Sequence, residues 1–230
     1  MYYYGGDSAQ WALILIPIVL VLVVQGILQS RYNKYSKMPN NRGMSGYEVA
    51  RRILDSNGLS NVEIFQGHGQ LSDYFDPTKN LIKLSPDVYN GRSIASLAIA
   101  AHEVGHAIQY ATKYPVIAFR NKMLPLTITA SNLAWIVIIL GLVFSGFSGL
   151  LYLGIGLLGV IALFQILTLP LEFNASSRAL ANLENGNFLD YDEIPKAKRV
   201  LNAAAMTYVV ALITTIAEIL RLILISKQRN

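Results

Sequence analysis

Long apolar runs alternate with shorter polar ones along this chain, and ionisable residues mark the borders between them. Asp7 and Arg31 enclose 23 residues without Asp, Glu, Lys or Arg, centred on WALILIPIVLVLVVQGIL (residues 11–28). Lys122 and Glu172 enclose 49 more, and Arg199 and Glu218 a further 18. A helix crossing about 30 Å of hydrocarbon needs about 20 apolar residues at about 1.5 Å rise each. The first and last runs therefore predict one spanning helix each. The middle run predicts two, broken at the Gly/Ser-rich SGFSG (residues 145–149). Buried helices of a soluble protein do not account for it, because 49 uncharged residues have no polar face to show water.

Between residues 31 and 122 the pattern changes period. Ser45-Gly46-Tyr47-Glu48 has capping-box spacing, and Val49, Ala50, Ile53 and Leu54 follow at helical intervals up to Asn57-Gly58. NVEIFQ (61–66), LSDYF (71–75) and LIKLS (81–85) alternate like strands, separated by turns at Gly67-His68-Gly69 and DPTKN (76–80). They predict a short antiparallel sheet that ends at Ser85-Pro86. Residues 93–111 predict a long helix. Another is expected from Glu172 to about Leu183, ending near Asn185-Gly186. The fold class expected is a mainly α membrane protein, with about four transmembrane helices and a small α+β domain. Its parts are an N-terminal anchor with the first span (1–30), a cytoplasmic α+β domain (31–122), a transmembrane hairpin (123–171), a cytoplasmic helix (172–199) and a last span with its tail (200–230).

Composition sharpens this picture. The 230 residues are 53% hydrophobic and 14% charged, against about 25% charged in an average soluble domain. Mean hydropathy is +0.40. Intrinsic disorder is excluded by the apolar content, and the absence of cysteine excludes disulfide scaffolds and Cys-type zinc fingers. No Lys or Arg precedes Trp11, so the basic region of a removable signal peptide is missing. Tyr2, Tyr3, Tyr4 and Trp11 fit an interfacial aromatic belt instead. Arg31, Lys34, Lys37 and Arg42 follow the first span with no acid among them, which puts the N-terminus outside and residue 31 onward in the cytoplasm. Lys113, Arg120 and Lys122, and then Lys196, Lys198 and Arg199, sit on the same side. Arg221, Lys227 and Arg229 run against this bias at the far end of the last span. The net charge of +5 belongs largely to these membrane flanks, where anionic lipid is the partner, and does not point to nucleic acid. A membrane-protein partner or a second copy of the chain stays open.

Candidate chemistry sits on the helix at 93–111. His102-Glu103-Val104-Gly105-His106 stacks two imidazoles on one helix face at i, i+4, where both can ligate one ion, while Glu103 on the adjoining flank reaches water beside the metal. Zinc suits two nitrogens, one oxygen and an open position. It activates water, and Glu103 is the candidate base that takes the proton and passes it to a leaving amine. Two of the chain's three histidines fall at this spacing. The best third ligand is Glu172 in LPLEFNASSRAL, because two crossings return the chain to the side it left. His68, Asp73, Asp76, Glu184 and Asp190 are reserves. Arg178, Tyr74, Tyr110 and His68 are candidates to stabilise a developing oxyanion. An extended substrate has two candidate strands to pair with, 81–85 and 71–75.

HEVGHAIQ (102–109), LSDYFDP (71–77), LSPDVYNGRS (84–93) and LEFNASSRAL (171–180) together resemble the YugP-type membrane neutral zinc metallopeptidases, over most of the chain from about Tyr32 to the last span. The resemblance implies a gluzincin-like, zincin-type domain among membrane helices. Its implied zinc ligands are His102, His106 and Glu172, with Glu103 catalytic. More distantly, EFNAS is similar to a segment of the membrane metallopeptidases related to CAAX proteases, where an Asp buttresses a zinc-ligating His. Ser176 stands at that position here, and the buttress is either Ser176 or another residue. The function expected is a zinc-dependent endopeptidase in a prokaryotic cell membrane, cutting protein or peptide substrates at the cytoplasmic face. The alternatives are an intramembrane protease whose His102 helix spans, and a non-proteolytic membrane scaffold with structural zinc.

Overall fold

The computed structural model describes residues 5–144 and 148–229. Tyr2, Tyr3, Tyr4 and most of the expected 145–149 hairpin tip lie outside them. The elements run α1 (Gly5–Tyr35), α2 (Gly46–Ser56), β1 (Glu63–Gln66), β2 (Tyr74–Asp76), β3 (Leu81–Leu84), α3 (Pro86–Tyr89), α4 (Ile94–Ala111), α5 (Pro115–Val143), α6 (Ser148–Asn185) and α7 (Ile194–Arg229). Among the described residues, α1, α5, α6 and α7 supply four helices long and apolar enough to cross a membrane. The chain is a multi-pass, mainly α membrane protein with a small α+β portion. It divides into two compact units, one taking in the chain up to Gln25, Ala118–Leu169 and Met206 onward, the other Gly26–Ile117 and Pro170–Ala205.

In the first unit apolar side chains point outward. Ile16, Leu22, Trp135, Ile139 and Val143 are all more than half exposed, a distribution that hydrocarbon accepts and water penalises. A small interior joins Ala134, Ile138, Leu151, Leu158 and Leu222. Two charges in the last apolar stretch neutralise each other within one helical turn, Arg221 donating to both oxygens of Glu218 at 2.6 and 2.8 Å. The Arg120 guanidinium lies over the Phe164 ring, 5.4 Å from its centroid.

The second unit is built around α4. Val49, Ile53 and Leu54 of α2, Ile82 and Leu84 of β3, Leu97, Ala101 and Val104 of α4, and Ala179 and Leu183 of α6 form one buried core. Local signals explain most of the elements. Ser45 and Glu48 make the reciprocal capping box at the start of α2, and the Ser93 hydroxyl caps α4 by accepting from the backbone N–H of Ser96. Buried Glu193 ties two distant segments together, accepting from the backbone N–H groups of Asn41 and Asp190 at 3.0 and 2.8 Å.

The sheet departs from expectation. Its order is β1-β3-β2, with β1 parallel to β3 and only β2 antiparallel to it, so it is mixed rather than antiparallel. Asp76 closes the tight turn after β2, its Oδ1 accepting from the N–H groups of Thr78 and Lys79 and from the Thr78 hydroxyl. β3 therefore enters between its two predecessors and becomes the central strand. The second strand also starts later than its alternation suggests, because Leu71 takes a left-handed φ of +51° and Ser72 hydroxyl donates to the His68 carbonyl. The helix expected to begin at Glu172 is instead the last third of α6, which runs unbroken from Ser148 through Pro170.

Candidate metal centre

α4 and α6 supply the candidate site. Positions 102 and 106 are one helical turn apart, so the two imidazoles share a face of α4, their centroids 4.8 Å apart and their planes 85° to each other. Glu172 of α6 reaches between them. Its Oε2 lies 3.3 Å from His102 Nε2 and 3.6 Å from His106 Nε2. Among the described residues these three form the group of His and carboxylate side chains able to hold one metal ion.

The arrangement fits zinc on its own geometry. Ligand bonds of about 2.0–2.1 Å in a tetrahedron put neighbouring donor atoms about 3.3–3.4 Å apart, and the two Nε2–Oε2 separations of 3.3 and 3.6 Å lie at that edge and slightly beyond it. Both histidines have their other nitrogen engaged, which leaves Nε2 as the nitrogen toward Glu172. Ser176 Oγ stands 3.2 Å from His102 Nδ1, and Gln109 Oε1 stands 3.0 Å from His106 Nδ1. Ser176 is thus the residue that meets the His102 nitrogen turned away from Glu172. Two nitrogens and a carboxylate oxygen are the borderline donor set zinc accepts.

Close helix packing makes this possible. Gly105 lies against the backbone of α6, where an added Cβ would meet the Ala175 carbonyl oxygen at 2.6 Å. Glu172 sits nearly one turn before Ala175 and is carried inward with it.

Burial sets the electrostatics. Glu103 and Glu172 are only 8% and 7% exposed. Burial pushes the Glu103 carboxyl above the usual carboxylate range, against the pull of the His102 and His106 imidazoles. Burial works to lower His106, but the hydrogen bond and charge of Glu172, with the charge of Glu103, raise it overall. Asp73 is also held high, by burial that outweighs its bonds from the Ser85 N–H and hydroxyl at 2.7 and 3.2 Å.

The remaining candidates lie elsewhere. His68 is exposed on the loop after β1, and Tyr74 is exposed on β2, its ring 6.0 Å from Lys83 Nζ. Arg178 donates to Asn174 Oδ1 at 2.8 Å. Tyr110 packs edge-on to Phe75 at 5.4 Å. Of the reserve ligands, Asp73 is bound to Ser85, Asp76 closes its turn, Asp190 pairs with Arg42 at 3.0 Å and Glu184 is exposed. Sequence reasoning missed Gln109 and Asn174. The i, i+3 spacing of His106 and Gln109 was the available signal for the first.

Comparison with known proteins finds a family and a relative. A family model described as "Putative neutral zinc metallopeptidase" matches residues 10–227. A Bacillus subtilis (strain 168) protein named "Putative membrane protease YugP" is 41% identical over 198 residues, covering 86% of this chain and 88% of that protein. No solved structure matches the chain.

Proposed function

Because the chain belongs to the neutral zinc metallopeptidase family, we propose that it is a membrane-embedded zinc endopeptidase acting at the cytoplasmic face. His102, His106 and Glu172 are the metal ligands and Glu103 the general base. The observation that carries this reading is the convergence of three donors from α4 and α6, buried Glu172 and the half-buried His102 and His106, with ligand atoms within 4.8 Å of one another. Bound there, zinc supplies Lewis acidity, acidifying water and polarising a scissile carbonyl. Glu103 takes the proton of the attacking water and hands it to the leaving amine. Glu103 is only 8% exposed, and a carboxylate so poorly solvated is a stronger base than one in water. Of the two strands considered for substrate, β3 is central and already paired on both sides, so the β2 edge is the one able to accept an extended peptide.

A site facing the cytoplasm rests on the basic residues that flank the spans at 31–42, 113–122 and 196–199. Packing favours this reading over one in which the His102 helix spans, since α4 is covered by α2, β3 and α6 within its own unit. The intact Glu103 favours it over a scaffold with structural zinc, which has no use for a buried base.

The test is Glu103→Gln in the full chain, purified in detergent and loaded with zinc. Zinc stays at about one per chain, as all three ligands are untouched, while cleavage of unfolded protein substrates falls about 100-fold or more. Wild-type-like cleavage by the variant would overturn the mechanism.

A further inference from the structure

Four side chains on α4 and α6 form a line of hydrogen bonds that ends on His106. Arg178 Nε donates to Asn174 Oδ1 at 2.8 Å. Gln109 Nε2 donates to that same oxygen at 3.0 Å and to the Leu171 carbonyl at 2.8 Å. Gln109 Oε1 then lies 3.0 Å from His106 Nδ1.

The direction of every bond follows from the first. A guanidinium carries only donors, so the Asn174 atom facing it is the oxygen. That oxygen and the Leu171 carbonyl are both acceptors, so the end of the Gln109 amide turned toward them is the NH2. The end turned toward His106 is therefore the carbonyl oxygen, which can only accept. His106 Nδ1 must carry a proton to donate to it. Its other nitrogen, Nε2, is the one 3.6 Å from Glu172 Oε2. Reversing either amide would set donor against donor at Arg178 or acceptor against acceptor at Leu171. Gln109 is fully buried at 0% exposure, so bulk water does not replace the lost partner. Ser176 beside His102 imposes no such direction, since a hydroxyl donates or accepts equally well.

We propose that Arg178, Asn174 and Gln109 are positioning residues that hold His106 in the tautomer whose Nε2 lone pair faces the metal. The proposal rests on the zinc reading above. It assigns Arg178 a task at the ring of a ligand, three side chains away, rather than at the substrate.

The experiment uses the full chain in detergent with two readouts, zinc affinity by competition with a chelating dye and the imidazole 15N–1H spectrum of the zinc-loaded protein. With three histidines in the chain, that spectrum can be assigned by substitution. Wild type is expected to show a protected Nδ1–H for His106. Gln109→Leu loses that signal and binds zinc about 10- to 100-fold more weakly, while Asn174→Leu, with the Leu171 carbonyl still holding the Gln109 amide, weakens the signal and the affinity less far. Asn174→Asp, which keeps an acceptor toward both Arg178 and Gln109, retains the signal and near-wild-type affinity. Equal weakening in Asn174→Asp and Asn174→Leu would overturn the proposal in favour of packing alone, and so would an Nδ1–H signal that survives Gln109→Leu. If Gln109→Leu does not fold, the Asn174 pair decides. A wild type that takes up no zinc overturns the metalloenzyme reading and this one with it. Zinc-binding variants indistinguishable from a zinc-binding wild type overturn this one only.

Discussion

At Gly105 a single hydrogen atom in place of a methyl group decides whether the candidate ligands meet. A Cβ there would lie 2.6 Å from the Ala175 carbonyl oxygen and 3.2 Å from the Ala175 Cα, both backbone atoms that cannot swing aside. Gly105→Ala must therefore push α4 away from α6, and Glu172 moves with α6. The expected result is a loss of about 1–3 kcal/mol of stability from overpacking, together with weaker zinc binding. Thermal melts and dye competition on the same preparation would check both, and unchanged zinc affinity would separate the glycine from the site. His102, Glu103, His106 and Glu172 were legible because metal chemistry restricts residue types and helices restrict spacing. Gly105 was legible only as a small residue near the histidines. Its reason lies in a neighbour, Ala175, that no local pattern names. Gln109 was hidden for the same cause, since its amide matters through Leu171 and Asn174, both on another helix.

Helices announced their ends more clearly than strands announced their partners. The Ser45–Glu48 capping box was readable as four residues and is present in full, Ser45 N–H donating to the Glu48 carboxylate at 2.7 Å and Glu48 N–H donating to the Ser45 hydroxyl at 3.2 Å. Ser45→Ala removes the second bond and is expected to cost about 1 kcal/mol. The first bond holds the Glu48 carboxyl below its ordinary value. Such a group stabilises the fold in full above its unfolded pKa, and that contribution is lost as pH falls through the lower, folded one. Glu48→Gln should thus flatten part of the acid limb of a stability-versus-pH curve while lowering the neutral plateau. Denaturant melts between neutral and acid pH would read it, and a parallel downward shift with an unchanged acid limb would contradict it. No comparable signal exists in the sheet. Alternation in 61–66 and 81–85 marks two strands, yet parallel or antiparallel pairing depends on which neighbour each meets, and Leu71 shows alternation continuing into a turn.

For the molecule as a whole, the bilayer makes its demands on composition, and that is why the four spans could be read from charge-free runs alone. Which side each loop faces is a weaker demand, carried by a few lysines and arginines. The chain has no cysteine, so each single-cysteine variant reports one position without background. If the proposed orientation holds, cysteines replacing Arg92 and Lys113, at either end of α4, react with a membrane-impermeant maleimide only in inverted vesicles. A cysteine replacing Phe144, just past α5, reacts in intact cells. Opposite labelling of Arg92 and Lys113 positions would mean that α4 crosses the bilayer and would restore the intramembrane reading. Labelling of both from outside would keep the fold and reverse its orientation. The three basic residues after Glu218, namely Arg221, Lys227 and Arg229, run against the predicted bias, and Arg221 is already neutralised by Glu218. That leaves Lys227 and Arg229 beyond the last apolar stretch, against ten bases on the proposed inner side between residues 31 and 122 and 196 and 199 that border the spans. A cysteine at Lys227 is accordingly expected to react from outside, which makes it the most demanding of the four positions.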